Sequence, residues 1–301
     1  MNEQALASIC AGIAAGGKIG PDQVRALRSV IFAEVNVTQA EAETLFDLHD
    51  RNLPAGAEWP ELFIEAMSDF IVEQALPRGY VSEDNARWLI GMIERDVQVW
   101  SRTELELVVK VLEKAISAPS QLCAFALEQV RLSVLAGDKR ISADEVELIR
   151  RVLYAKSGSG GFWVSRPEAE ALFDLDEATA TAENDRGWGE LFVRAIGNHV
   201  LGVARPERPS ADDVRRMGAW LDDTSASPGR FLRRMLSGAA PEPVEAAEAP
   251  ADVIDHAEAE WLRGRILRGG RIDANVRALL SFLEANAIQG GDELRDIARR
   301  A

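Results

Sequence analysis

The feature that most constrains this chain is that it matches itself. Residues 19–33 align with residues 141–155, and residues 37–48 align with residues 164–175, where both copies end in Leu-Phe-Asp-Leu. Similarity between two parts of one chain is typical of stacked helical or propeller units, in which neighbouring units share a continuous core. The sequence therefore predicts an array of similar units rather than two unrelated domains.

Almost every segment of the chain has the helical period. In residues 105–116, apolar residues recur at i, i+3, i+4, i+7 and i+11, which is one stripe along a helix. Four capping boxes mark helix starts, and each joins a Ser or Thr cap to a Glu three residues later. They are Thr38 with Glu41, Ser101 with Glu104, Ser142 with Glu145, and Ser165 with Glu168. The chain shows no long strand pattern, so we predict an all-α fold.

The alignment predicts two similar multi-helix modules and a truncated third helical unit. Trp59 and Trp188 extend the match between the modules, which favours core packing for both side chains. A third copy of the module's opening turn follows a segment rich in Pro, Ala and Glu, because residues 269–272 echo residues 16–19. The predicted boundaries are residues 1–118 for module one, 119–236 for module two, 237–252 for the linker and 253–301 for the C-terminal helical segment.

Composition limits the class of protein and its partners. Hydrophobic residues make up 47% of the chain, which is too many for a disordered protein, and the net charge is −15. Such a charge repels phosphate backbones, so we expect no nucleic acid partner. No apolar run reaches the roughly 18 residues of a transmembrane helix, and we expect a cytoplasmic protein. Cys10 and Cys123 lie in apolar runs and are expected to be reduced core residues.

The recurring turn resembles that of a known family. Each copy joins a Gly-containing turn to an aliphatic residue and a helix cap, at residues 15–22, 136–145 and 268–274. This resembles the TerB-like tellurite-resistance family, whose helical domains carry an Ala-Asp-Gly-x-Ile-x-x-x-Glu turn. The resemblance implies a cytoplasmic all-α domain able to hold divalent metal, in stress-related complexes at the inner membrane face. The acidic turn residue of the family is Gly16 in the first copy and Gly269 in the third, and Asp138 in the second copy is offset by one inserted residue.

Two acidic patterns are candidates for metal binding. The capping turns look like the second half of an EF-hand, but the preceding positions lack the carboxylates that calcium needs, so we expect these Glu residues only to cap helices. The other pattern is a group of acids between matched helices, where convergent carboxylates would suit a hard cation and helix capping is the alternative. We predict neither a bound metal nor a cofactor. The weak candidates are Asp47, Asp50, Glu58, Glu61, Asp174, Asp176, Glu177 and Glu190.

The sequence carries no catalytic signature. It has no HExxH, GxSxG, phosphate-loop or dinucleotide motif, and its three histidines are scattered. We therefore expect a non-enzymatic helical repeat scaffold that mediates protein–protein interaction. The alternative is a divalent-metal-responsive sensor of the TerB-like or degenerate EF-hand-like type. An enzyme whose site is dispersed over the helices remains a third hypothesis.

The C-terminal segment differs in charge from the rest of this acidic chain. Residues 255–301 contain equal numbers of basic and acidic residues, so the rest of the chain carries the whole net charge of −15. We expect this segment to dock on an acidic, apolar face of the modules, with arginine pairs worth about 0–1 kcal/mol each. Binding to an unknown protein partner and homodimerisation stay open. The interaction candidates are Trp100, Trp220, Trp261, Arg263, Arg265, Arg268, Arg271 and Arg277.

Overall fold

The fold is all-α, as the sequence predicts. The computed structural model describes residues 2–33, 37–95, 101–155, 164–201, 256–269 and 272–286. Helices account for 77% of these residues, and no strand occurs among them apart from two isolated bridges, Ile19 with Ala55 and Tyr80 with Ser117. Within the same ranges, every helix is too short or too polar to cross a bilayer.

Twelve α-helices lie in the described ranges. The first six are α1 (Asn2–Gly16), α2 (Pro21–Ile31), α3 (Gln39–His49), α4 (Glu58–Ser68), α5 (Glu83–Glu94) and α6 (Arg102–Lys114). A π-helix, Asp69–Gln74, continues α4. The other six are α7 (Ser120–Ala136), α8 (Ala143–Leu153), α9 (Arg166–Thr179), α10 (Arg186–Leu201), α11 (His256–Gly269) and α12 (Ala274–Asn286).

All four predicted capping boxes are present, and they set where α3, α6, α8 and α9 begin. In each, the Glu carboxylate accepts a hydrogen bond from the backbone N–H of the cap residue, over 2.6–2.9 Å. These contacts satisfy amides that the helix cannot pair internally. Burial raises the pKa of Glu168, while hydrogen bonds from Ser165 and Cys123 act in the opposite direction.

Helices α1 to α6 pack around one core. Helix α1 contacts α2 and α3, and α4 contacts α2, α3 and α6. Ile19, Leu45, Phe46 and Trp59, which all have a counterpart in the internal alignment, are at most 4% exposed. The rings of Phe46 and Phe63 meet edge to face, with centroids 5.0 Å apart and planes at 84°.

Helices α7 to α10 pack in a similar way. Helix α7 contacts α8 and α9, and α10 contacts the same two helices. The counterparts Ile141, Leu172, Phe173 and Trp188 are at most 2% exposed, and the predicted burial of Trp59 and Trp188 is confirmed. The rings of Phe173 and Phe192 also meet edge to face, 5.1 Å apart at 86°. Cys10 and Cys123 are buried free thiols, as expected.

Helix α6 joins the two groups, because it packs against both α7 and α8. One guanidinium spans this contact. Arg151 on α8 lies 2.8 Å from the carboxylate of Glu106 and 2.7 Å from that of Glu113, both on α6. Hydrogen bonds to these two carboxylates outweigh burial and raise the pKa of Arg151.

The C-terminal helices pack on the second group of helices. Helix α12 lies against α10, and five leucine and isoleucine side chains of α11 and α12 are at most 4% exposed. They are Leu262, Ile266, Leu279, Leu280 and Leu283. Two glycines of α10 make the close approach possible: a Cβ at Gly189 would lie 2.6 Å from Oδ1 of Asn275, and a Cβ at Gly197 would lie 2.9 Å from Cδ1 of Phe282.

The close approach at Gly197 predicts a difference between two glycine substitutions. Gly197→Ala should lower the free energy of unfolding by about 1–2 kcal/mol, because the added methyl group displaces the Phe282 ring. Gly264→Ala on α11 is the matched control, since a Cβ there meets open space. That variant should be stabilised by up to about 1 kcal/mol through helix propensity. Urea unfolding followed by circular dichroism measures both, and equal effects would contradict the described packing of α12 on α10.

Candidate protein-interaction site

Arg265 is the centre of the contact between α11 and α9. Its side chain is only 1% exposed, and three carboxylates of α9 surround its guanidinium. Nε lies 2.9 Å from Oε2 of Glu170, Nη1 lies 3.2 Å from Oε1 of Glu177, and Nη2 contacts Oδ1 of Asp174. These acids stand at i, i+4 and i+7, so they form one face of the helix.

Aromatic rings complete the surroundings of this guanidinium. The Cζ atom of Arg265 lies 5.4 Å from the ring centroid of Phe173, which is within the range of a cation–π contact. Phe173 also meets Trp261 edge to face, with centroids 5.9 Å apart. Trp261 and Arg265 are four residues apart and thus point from the same face of α11.

Trp261 is held from several sides. Its indole N–H donates to Oε1 of Glu170, and its ring meets that of His199 edge to face at 4.9 Å. The Cζ atom of Arg166 lies 4.6 Å from the indole centroid. His199 itself is fixed by a contact of 2.8 Å between Nδ1 and the carbonyl oxygen of Val164. Burial is the main cause that lowers the pKa of this histidine.

A second polar contact lies where α12 begins. Asp176 on α9 is 2% exposed, and its Oδ1 accepts hydrogen bonds of 2.8 Å from Nε1 of Trp188 and from Nδ2 of Asn275. Burial is the main cause that raises the pKa of Asp176 to about 7. Asp273 lies beside it and caps α12, since its Oδ1 accepts a hydrogen bond of 2.9 Å from the N–H of Val276.

Helices α5 and α3 in the first group make contacts of the same kind. Trp88 meets Phe46 edge to face at 5.9 Å, and its indole N–H lies 3.4 Å from Oε1 of Glu43. Arg95 lies 2.8 Å from Asp47 and 2.6 Å from Asp50. Each of the two surfaces therefore combines acidic residues and a phenylalanine of one helix with a tryptophan and an arginine of another.

The start of α6 likewise contacts the end of α3. His49 directly follows the aligned residues 37–48, as Asp176 follows residues 164–175, and its Nε2 lies 3.1 Å from Oγ of Ser101. Burial is the main cause that lowers the pKa of His49. At this contact the first group of helices has the imidazole of His49 and the hydroxyl of Ser101, and the second group has the carboxyl groups of Asp176 and Asp273.

The structure places four of the eight metal candidates against arginines. Asp47 and Asp50 bind Arg95, and Asp174 and Glu177 bind Arg265. Asp176 accepts hydrogen bonds from Trp188 and Asn275. Glu58, Glu61 and Glu190 are exposed on helix surfaces. Across the described ranges, no group of three or more His, Cys, Asp or Glu side chains has an arrangement that could hold a metal ion.

Of the interaction candidates, the contact uses Trp261 and Arg265. Arg263, Arg268 and Arg277 are exposed, and Arg277 donates to the carbonyl oxygen of Ile272. Trp100, Trp220 and Arg271 lie outside the described residues. The expectation that every arginine of this segment forms a weak surface pair does not fit Arg265, because its side chain is withdrawn from water.

The sequence did not identify the residues of α9 that contact Trp261, nor the similarity between α11 and α5. Glu170 and Phe173 were not candidates, although they provide an indole acceptor and the central ring of the contact. A short sequence pattern does relate these two helices, since Trp88-Leu89 precedes Gly91 in α5 just as Trp261-Leu262 precedes Gly264 in α11. That short pattern relates α11 to α5, whereas the predicted echo relates the C-terminal segment to the opening of module one.

Comparisons with known proteins supply no relative of this chain. No family model matches it, and neither the curated proteins nor the solved structures contain a match.

The burial of Arg265 predicts a large difference between two arginines of α11. Arg265→Gln should lower the free energy of unfolding by about 3 kcal/mol, because it leaves three carboxylates close together without their cation. This loss of stability is at the low end of the range for a buried ion pair, because the carboxylates are 32–53% exposed and water can partly solvate them. Arg268→Gln, an exposed control on the same helix, should change stability by less than about 0.5 kcal/mol. Equal effects in urea unfolding would contradict the central place of Arg265.

The capping role of the glutamates predicts that calcium has little effect. Glu41, Glu104, Glu145 and Glu168 already accept hydrogen bonds from their caps, so calcium would have to break these bonds to bind. Thermal melts in EDTA and in millimolar calcium should therefore overlap. A site saturated at about 100 times its Kd would add roughly 2.7 kcal/mol. A clear rise of Tm with calcium would favour the sensor hypothesis.

Proposed function

We propose that the protein is a non-enzymatic cytoplasmic scaffold that binds a protein partner by holding a helix against α9 and α10. The observation that carries this proposal is the seating of Trp261 and Arg265 on α9, by a helix that follows α10 only after residues 202–255. A surface that holds a helix from a distant part of the chain is chemically suited to hold a helix from another chain. We call this surface, formed by α9 and α10, the docking groove.

The parallel with the first group supports a specific organisation. We infer two modules, in which α11 and α12 are the counterparts in the second module of α5 and α6 in the first. In support, Trp261 contacts Phe173 as Trp88 contacts Phe46, and in both cases the indole N–H faces a glutamate one turn earlier. Helix α12 packs on α10 as α6 packs on α4. The second module is then complete only when the C-terminal helices are docked.

The groove favours one kind of partner. Its three carboxylates, Glu170, Asp174 and Glu177, select a cation, and the neighbouring Phe173 selects an aromatic or guanidinium group. Tryptophan and arginine are also the residues that most often dominate binding energy at protein interfaces. The partner is therefore expected to present an amphipathic helix with a tryptophan and an arginine four residues apart, followed by an apolar face.

The proposal assigns the candidate carboxylates to cation recognition rather than to metal binding. Asp47, Asp50, Asp174 and Glu177 each face a guanidinium, which neutralises the charge that a divalent metal would require. The metal-responsive function implied by the TerB-like resemblance therefore has less support from these contacts than helix binding has. The calcium and EDTA melts described above separate the two hypotheses.

A peptide in trans tests the proposal. A full-length variant with both Trp261→Ala and Arg265→Gln should free the groove while keeping α9 and α10 unchanged. A fluorescent peptide of residues 256–286 should bind this variant with a Kd in the micromolar range or tighter, which corresponds to about −8 kcal/mol. It should bind the unmodified protein far more weakly, because the covalently attached helices occupy the groove at high effective concentration.

Charge reversal in the groove provides the control. Adding Glu170→Lys and Asp174→Lys to the same variant should abolish peptide binding, whereas Glu183→Lys, an exposed site away from the groove, should leave it unchanged. Proteins captured by the opened variant, lost from the charge-reversed variant and displaced by the peptide would be partners of the proposed kind. If the peptide fails to bind the variant with Trp261→Ala and Arg265→Gln, or binds it and the charge-reversed variant equally, the helix-binding function is wrong.

A further inference from the structure

The side chain of Asn275, the second residue of α12, enters a small polar pocket between α9 and α10. Its Nδ2 donates a hydrogen bond of 2.8 Å to Oδ1 of Asp176, which is 2% exposed and accepts a second bond of 2.8 Å from Nε1 of Trp188. A Cβ at Gly189 would lie 2.6 Å from Oδ1 of Asn275, so the missing side chain leaves room for the amide. The pocket offers one buried acceptor and little space, which suits an amide N–H donor. We call it the amide pocket.

A second pocket lies two turns further along α12, at Phe282. A Cβ at Gly197 of α10 would lie 2.9 Å from Cδ1 of this ring, which is closer than packed carbon atoms approach. Phe282 packs against the buried core, whereas the neighbouring Ser281 is exposed. Because Asn275 and Phe282 are seven residues apart, they lie on one face of α12, opposite two glycines that are eight residues apart on α10. We call the space at Gly197 the aromatic pocket.

The first group of helices has neither residue of the aromatic pocket. Counted from the matched tryptophans, Gly197 of α10 corresponds to Ser68 of α4. Counted from the caps of α6 and α12, Phe282 corresponds to Lys110, which is exposed. The glycine and the large ring thus occur together in one group and are both absent from the other, as expected where each depends on the other.

The amide pocket differs between the two groups in the same way. Gly189 corresponds to Pro60, and Asn275 corresponds to Thr103. In the first group an imidazole rather than a carboxylate contacts the start of the last helix, since His49 lies against the cap of α6. Helix α12 therefore carries two side chains that fit α10 and that α6 lacks.

We propose that the amide and aromatic pockets are the specificity determinants of the docking groove, and that they select a helix with asparagine at its second residue and an aromatic side chain seven residues later. The carboxylates of α9 attract any helix with a suitably placed cation, whereas each pocket accepts one kind of side chain. That an outside partner presents such a helix rests on the proposed function. The selection itself also operates within the chain and is measurable there.

A double-mutant cycle in the full-length protein tests the amide pocket. Asn275→Asp brings a carboxylate against Asp176, so native-state hydrogen exchange at pH 8 should show at least about tenfold lower protection of α12 amides. Asp176→Asn should change this protection by less than about threefold, since its amide oxygen still accepts from Trp188. In the double variant the new amide donates to the new carboxylate, so Asn275→Asp should cost little in that background.

A second cycle tests the aromatic pocket. Gly197→Ala alone should lower the protection of α12 amides by about tenfold, because the added methyl group meets the Phe282 ring. In the Phe282→Ala background the same change should lower protection by less than about twofold, since no ring is then in its way. Ser281→Ala, an exposed change on the same helix, is the control and should have no effect in either background.

Selection of an outside helix is tested with the opened variant described above. Adding Asn275→Asp and Phe282→Ala to it releases the attached α12, so that the peptide of residues 256–286 meets a free groove. Peptides with Asn275→Thr or Phe282→Lys, the residues that α6 has, should bind at least about tenfold more weakly than the unmodified peptide. A Ser281→Lys peptide adds the same charge at an exposed position and should bind as well as the unmodified one.

Additive effects in either cycle would overturn selection at that pocket, because the two side chains would not depend on each other. Equal binding of the unmodified, Asn275→Thr and Phe282→Lys peptides would overturn selection of an outside helix. These failures leave helix binding by the groove intact. Conversely, if both cycles show the expected coupling and no peptide binds, the pockets select α12 within the chain and the proposed function is wrong.

Discussion

A guanidinium that leaves water needs acceptors on every side, and Arg265 finds three of them on one helix. Glu170, Asp174 and Glu177 supply these charges, and all three carboxylates face the same guanidinium, so they would repel one another if the arginine were absent. Arg265 of α11 therefore needs the carboxylates of α9, and these carboxylates in turn need the arginine. Burial of the leucines of α11 and α12 supplies the larger apolar contribution, but it is less selective for which helix is bound.

The surfaces of α9 and α10 fit their occupant in shape as well as in charge. Gly189 and Gly197 have no side chain where Asn275 and Phe282 approach, so a bulkier residue at either position would hold α12 away. In the first group, α6 packs on α4, and both α5 and α6 follow α4 closely in the chain. The second group receives its last two described helices only after residues 202–255.

Local patterns in the sequence predict the helices and the core, but they do not predict the docking contact. Cap chemistry and helical period identify the starts of α3, α6, α8 and α9 and the burial of Trp59 and Trp188, because these depend on nearby residues. Sequence cannot separate Arg265 from its exposed neighbour Arg268, since the difference arises only when α11 meets α9. It likewise cannot say whether Asp174 faces a metal or an arginine.

The most direct test of the account is an NMR measurement of contacts within and between chains. The account predicts nuclear Overhauser effects from the indole of Trp261 to the rings of Phe173 and His199, whose centroids lie 5.9 Å and 4.9 Å away. In a mixture of differently labelled chains, an experiment filtered for intermolecular contacts should not show them. Absence of these effects from the uniformly labelled protein, or their appearance only between chains, would contradict docking of the C-terminal helices on their own module.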